Sequence, residues 1–140
     1  MMATIYGYER YERARSYFED AQYLDAAREL EELFTDVAAA RAGLDVDDRE
    51  VDPVGHGLAE PRLLLARAYF HSAQLRRAEE AARQVIDEDP QDAYAHLLLG
   101  RTLERAGRKD EAKGPLRMAE LLGGYTSSGG PTTDVTDDAI

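Results

Sequence analysis

The chain has 140 residues, enough for one domain with its own core, and its 44% hydrophobic and 32% charged content suits a globular protein. A formal net charge of −11 argues against binding the phosphate backbone of nucleic acid, which calls for a basic surface. Cysteine is absent, which excludes disulfides, thiol catalysis and thiolate metal sites.

Met1 to Arg10 lacks the basic and apolar segments of a secretory signal, and no apolar run approaches the roughly 18 residues of a membrane span. The expectation is a cytoplasmic protein with no membrane contact. Arginine outnumbers lysine, which occurs only at Lys109 and Lys113, and Ala, Gly and Asp are abundant. That is the composition of a GC-rich bacterial genome.

In chain order, the first predicted pair of helices carries Ala14, Tyr17 and Ala21, then Ala26, Leu30 and Leu33, at the three- and four-residue spacing of a helix face. An insertion over residues 36–58 comes next. Val37 to Ala42 prolongs the second helix, and Gly43 is a natural stop. The loop 44–57 holds Asp45, Asp47, Asp48, Glu50 and Asp52. Counted from Asp45, the places where a calcium loop needs Gly and Glu hold Glu50 and His56, so a solvated acidic loop is expected.

The second pair carries Leu63, Leu65, Ala66 and Tyr69, then Ala78, Ala82, Val85 and Ile86, with Pro61 in a first helical turn. Asp89-Pro90 closes it, and Asp92 can cap the next helix. The last pair has Leu97, Leu98, Leu99, Gly100 and Leu103, a turn at Ala106-Gly107, then Ala112, Leu116, Ala119, Leu121 and Leu122. After Leu122 the Gly-, Ser- and Thr-rich segment 123–140 offers little to bury and is expected to be a disordered tail.

These pairs are copies of one unit. ARSYFEDAQYLDAA from Ala14 shares the frame A-R-x-Y-F-x-x-A-Q with ARAYFHSAQLRRAE from Ala66. Ala78 and Ala112 are 34 residues apart, and Ala26 and Ala78 are 52 apart, which is 34 with an insertion of 18. The units span about 7–40, 59–92 and 93–122. They resemble the tetratricopeptide repeat, a 34-residue helix-turn-helix with small residues at positions 8 and 20, here Ala14, Ala66 and Gly100, then Ala26, Ala78 and Ala112. The family's aromatic at position 4 is missing; Arg10, Arg62 and His96 stand there. The resemblance implies an all-α, right-handed α-solenoid of six helices over residues 5–122.

It also implies a function. In this family the first helices line a concave groove, and positions 2, 5, 9 and 12 face the ligand. Here they are Tyr8, Tyr11, Arg15 and Phe18, then Glu60, Leu63, Arg67 and Phe70, then Tyr94, Leu97, Arg101 and Glu104. Position 9 is arginine three times. Such a row would hold carboxylates of an acidic peptide while the aromatics anchor apolar side chains. The competing view is that Arg15 with Glu12, and Arg101 with Glu104, are surface ion pairs, and that Phe18, Phe70 and Tyr94 are core between repeats.

The family's carboxylate clamp for chaperone tails would need its Lys, Asn and basic residues where this chain has Tyr11, Arg15, Leu64, Tyr94 and Leu98, so that type of receptor is not expected. The expected function is that of an adaptor or scaffold binding a protein or peptide partner. The alternative is a self-associating subunit, a homodimer included, joined through an open face around Leu116 and Leu122. A further alternative places the acidic segment ending Asp137-Asp138-Ala139-Ile140 in the chain's own arginine row. His56, His71 and His96 form no metal or catalytic spacing, so no enzyme, metal or cofactor is expected.

Overall fold

The computed structural model describes residues 2–44, 58–125 and 140; the acidic loop from Asp45 and the rest of the 123–140 tail beyond Tyr125 lie outside them, Ile140 excepted. Among the described residues there are six helices: α1 (Met2–Glu19), α2 (Tyr23–Leu44), α3 (Ala59–His71), α4 (Leu75–Glu88), α5 (Ala93–Arg105) and α6 (Lys109–Gly123). Each packs on its successor, and α1 also touches α3, as α3 touches α5. The first helices of successive units therefore lie side by side. None of the six is long and apolar enough to cross a membrane.

Small residues set the spacing within each unit. Ala14 and Ala66, at position 8, are fully buried, as are Ala26, Ala78 and Ala112 at position 20. At Gly100 the approach is closer still. A Cβ there would stand 2.4 Å from Leu116 Cδ2 and 3.3 Å from the Leu116 backbone nitrogen, so α6 rests on the bare glycine. Leu116 is thus inside the α5–α6 contact and not on an open face, which corrects the expectation for that residue. Met118, Leu121 and Leu122 remain exposed on α6.

The three turns between paired helices share one construction. Ala21, Ala73 and Gly107, all at position 15, have φ of 60°, 62° and 81°. In the first turn Ala21 N–H donates to Phe18 O (3.0 Å) and Gln22 N–H to Tyr17 O (2.8 Å), and the same pair of bonds recurs from Ala73 and Gln74 and from Gly107 and Arg108. This double closure satisfies carbonyls at the helix end and requires a left-handed residue. In the sequence only the third of these turns carries a glycine; the other two are placed by the repeat register.

Other local signals act as their sequence suggests. Pro61 lies in the first turn of α3, and the Asp92 carboxylate accepts from Ala95 N–H at 3.0 Å to cap α5. Helix α2 passes Gly43 by one residue, ending at Leu44. Of the polar residues that stand in for the position-4 aromatic, Arg10 and Arg62 reach the second half of their own unit and His96 reaches the end of the preceding one. Arg10 pairs with Glu32 and, at 3.4 Å, with Asp36. Arg62 donates to Glu88 (2.7 Å) and stacks 4.8 Å from the Phe34 ring centroid. His96 Nε2–H donates to Pro90 O at 2.8 Å.

Polar contacts also tie unit to unit. The Tyr69 hydroxyl donates to Glu31 Oε1 at 2.6 Å; burial first, then this carboxylate, pushes its pKa up. Arg108 donates to Glu79 at 2.6 Å and also bonds Glu111. Burial alone would raise the Glu79 carboxyl, but the hydrogen bonds from Arg108 and Arg83 outweigh it and hold the pKa below its ordinary value.

Candidate functional site

Equivalent in sequence, the three position-9 arginines have three different environments. Arg15 is half exposed and pairs with Glu12 at 3.2 Å, the ordinary surface pair of one helix turn. Arg67 is partly buried; its guanidinium carbon lies 4.5 Å from the Phe18 ring centroid, and its Nε–H donates to the main-chain oxygen of Ile140 at 3.0 Å. Arg101 is only 5% exposed. Its Nη1 donates to Glu104 Oε1 at 2.7 Å, while its buried Nε and Nη2 have no hydrogen-bond partner among the described residues.

Arg67 is the centre of the site. Its charge acts on Tyr11 of the first unit and on Tyr94 of the third. Tyr11 has its pKa raised, by burial first and then by Glu60, with Arg15 and Arg67 opposing. Tyr94 is likewise raised by burial, again with Arg67 opposing, and Tyr125 and Asp92 adding to the rise. One guanidinium thus acts electrostatically on a phenol from each neighbouring unit. Tyr125 is close because it folds back over α6: a Cβ on Gly123 would stand 3.0 Å from the Tyr125 ring and 2.6 Å from Ala93 Cβ.

The remaining groove residues divide by depth. Tyr8 is 66% exposed, and Tyr11, Phe18, Leu63 and Tyr94 are partly buried. Phe70 and Leu97 are buried, Leu97 completely, so they belong to the core and not to the ligand-facing surface expected of them. Phe18 and Phe70 each receive an arginine from the following unit: Arg67 over Phe18, and Arg105 over Phe70 at 4.9 Å. Arg105 Nη1 also donates to the Phe70 carbonyl. A stacked Tyr23–His71 pair, centroids 4.6 Å apart, adjoins Phe18 edge-on.

Sequence reasoning does not single out Arg105, His71 or Tyr23 for this region. Arg105 lies four residues beyond Arg101, one helical turn on, and that spacing is its only signal. Ile140 belongs by composition to the expected disordered tail, yet it is only 2% exposed and joins the apolar core cluster, with Tyr125 packed against that cluster. A cleft of about 640 Å³ between α2, α3 and α4 is lined by Phe34, Arg62, Leu65 and Ala81; none of the position-9 arginines borders it.

Comparison with known proteins agrees with this architecture. Residues 72–120 match the family profile described as tetratricopeptide repeat. No curated protein sequence matches the chain. Among solved structures, the Arabidopsis OM64 TPR domain superposes with a TM-score of 0.67 at 17% identity, over 95% of this chain and 92% of that one. The second TPR domain of human RPAP3, determined in complex with the HSP70 peptide SGPTIEEVD, gives 0.68 at 17% identity, over 98% and 96%. The chain thus has the fold of an all-α solenoid of about three tetratricopeptide-type repeats, and over residues 72–120 it is similar in sequence to that family.

Proposed function

We propose that the chain is a protein-binding module, an adaptor or scaffold, that takes an acidic peptide with apolar anchors along α1, α3 and α5. The observation that carries this reading is Arg101. A guanidinium at 5% exposure with two unpaired nitrogens is a poor choice for stability, because each buried donor without an acceptor costs about 1–3 kcal/mol. Those nitrogens are sealed as the chain stands, so a ligand carboxylate or carbonyl would complete them only once the groups lying over Arg101 move aside. Arg67, already holding a main-chain oxygen beside the Phe18 ring, supports the same kind of contact one unit earlier. The RPAP3 domain, similar in fold, carries its peptide as a complex. This chain lacks the clamp residues for chaperone tails, with Tyr11, Leu64, Tyr94 and Leu98 in those places, so its partner is of another sequence.

The reading is one of binding and not of catalysis, in the cytoplasm. Affinity capture with wild type, Arg67→Glu and Arg101→Met separates function from folding. Arg101→Met replaces the unpaired guanidinium with an apolar side chain of similar length, so its thermal midpoint should stay level or rise. Both variants should lose the partner that wild type retains. Retention by both at wild-type yield would remove the groove from consideration.

A second reading, self-association, is favoured by the exposure of Met118, Leu121 and Leu122 on α6. Under it, Leu121→Glu with Leu122→Glu converts a dimer to a monomer in light scattering. A wild-type chain that already scatters as a monomer excludes it.

A further inference from the structure

The groove already has an occupant. Ile140 is only 2% exposed, belongs to the same apolar cluster as Phe70 and Leu97, and its main-chain oxygen accepts from Arg67 Nε–H at 3.0 Å. Nothing in the neighbouring sequence demands this. Residues 123–140 are rich in Gly, Ser, Thr and Asp, and Ile140 is one of their few large apolar side chains. The contact also falls on the arginine whose guanidinium carbon lies 4.5 Å from the Phe18 ring centroid.

We propose that Ile140 is a built-in ligand of the groove, held within the same chain, and that a partner binds by displacing it. This rests on the groove being the partner site. It adds the chemistry of recognition: a branched aliphatic side chain for the apolar floor, paired with an oxygen acceptor for Arg67. Residues 126–139 connect Tyr125 to Ile140, and a connection of this length sets an effective concentration on the order of millimolar. A contact with a Kd of about 100 μM in free solution would therefore be about nine-tenths occupied within the chain, and would weaken a competitor about tenfold.

The test uses the full chain and a fluorescein-labelled peptide of residues 132–140, TTDVTDDAI. Wild type should bind it about tenfold more weakly than Ile140→Asp, whose site is vacated. Adding Arg67→Glu to Ile140→Asp should abolish binding. Equal affinity for wild type and Ile140→Asp overturns the proposal, as does failure of Ile140→Asp to bind.

A second measurement needs no peptide. The chain has three isoleucines, Ile5, Ile86 and Ile140, so an isoleucine methyl spectrum is readily assigned. The Ile140 methyl should be displaced from its unstructured position in wild type and return to it in Arg67→Glu. An unstructured position in wild type, or a displacement that appears only at concentrations where sedimentation gives a dimer, overturns docking within one chain. Loss of partner capture in Arg67→Glu together with no peptide binding would leave the groove function standing and remove the self-ligand. The reverse pair of results would do the opposite.

Discussion

Units two and three are built on the same frame; of three positions that matter, two differ in residue and the third, arginine in both, differs in its surroundings. Where unit two has Ala66, Arg67 and Ala73, unit three has Gly100, Arg101 and Gly107. Gly100 lets Leu116 press against the α5 backbone, whereas Ala66 keeps a methyl group in the corresponding seam. Gly107 takes a left-handed turn without penalty; Ala73 takes the same turn, at φ 62°, with a Cβ in the way. Arg67 stays reachable, and Arg101 is sealed. The closer approach in the third unit lies in one missing methyl group, at Gly100; the other, at Gly107, only frees the turn.

Three substitutions break or sharpen that comparison. The largest effect is expected from Gly100→Ala, whose new Cβ meets Leu116. Overpacking of this kind costs about 1–3 kcal/mol, less the gain in helix propensity of about 1 kcal/mol. Denaturant unfolding should show a net loss, and truncating Leu116 in the Gly100→Ala background should cost less than in wild type. An additive double variant would mean that the two residues do not press on each other. Second is Gly107→Ala, which puts a methyl at φ 81° and should lower stability by about 1 kcal/mol. Smallest is Ala73→Gly. It relieves the left-handed strain but gives the unfolded chain more freedom, so a gain of only about 0.5 kcal/mol is expected. If Gly107→Ala and Ala73→Gly both destabilise, the turns of the two units are not equivalent despite their shared hydrogen bonds.

The repeat frame was legible because it depends on short-range features. A small residue every 34 positions, a proline in a first turn and an aspartate at a cap each act within a few residues of where they stand. The depth of the groove was not legible. Position 9 is arginine in every unit, but its exposure depends on what neighbouring segments, Ile140 among them, lay across it. Arg15, Arg67 and Arg101 share a position and run from half exposed to sealed. Likewise, the expectation of an open Leu116 assumes that a last helix lacks cover on its inner side, when α5 itself provides it. Ala21 and Ala73 have no glycine to mark their turns, and only alignment with Gly107 reveals them.

The arginines that reach back over phenylalanine give assembly a direction. Phe18 is covered once Arg67 has been made, and Phe70 once Arg105 has. On a ribosome releasing about 5–20 residues per second, each unit would wait for its successor to finish it. At the matching place in unit three the sequence has Glu104, which is satisfied by Arg101 of its own helix. The wait therefore ends there: at this position the third unit has no phenylalanine ring left for a later unit to cover.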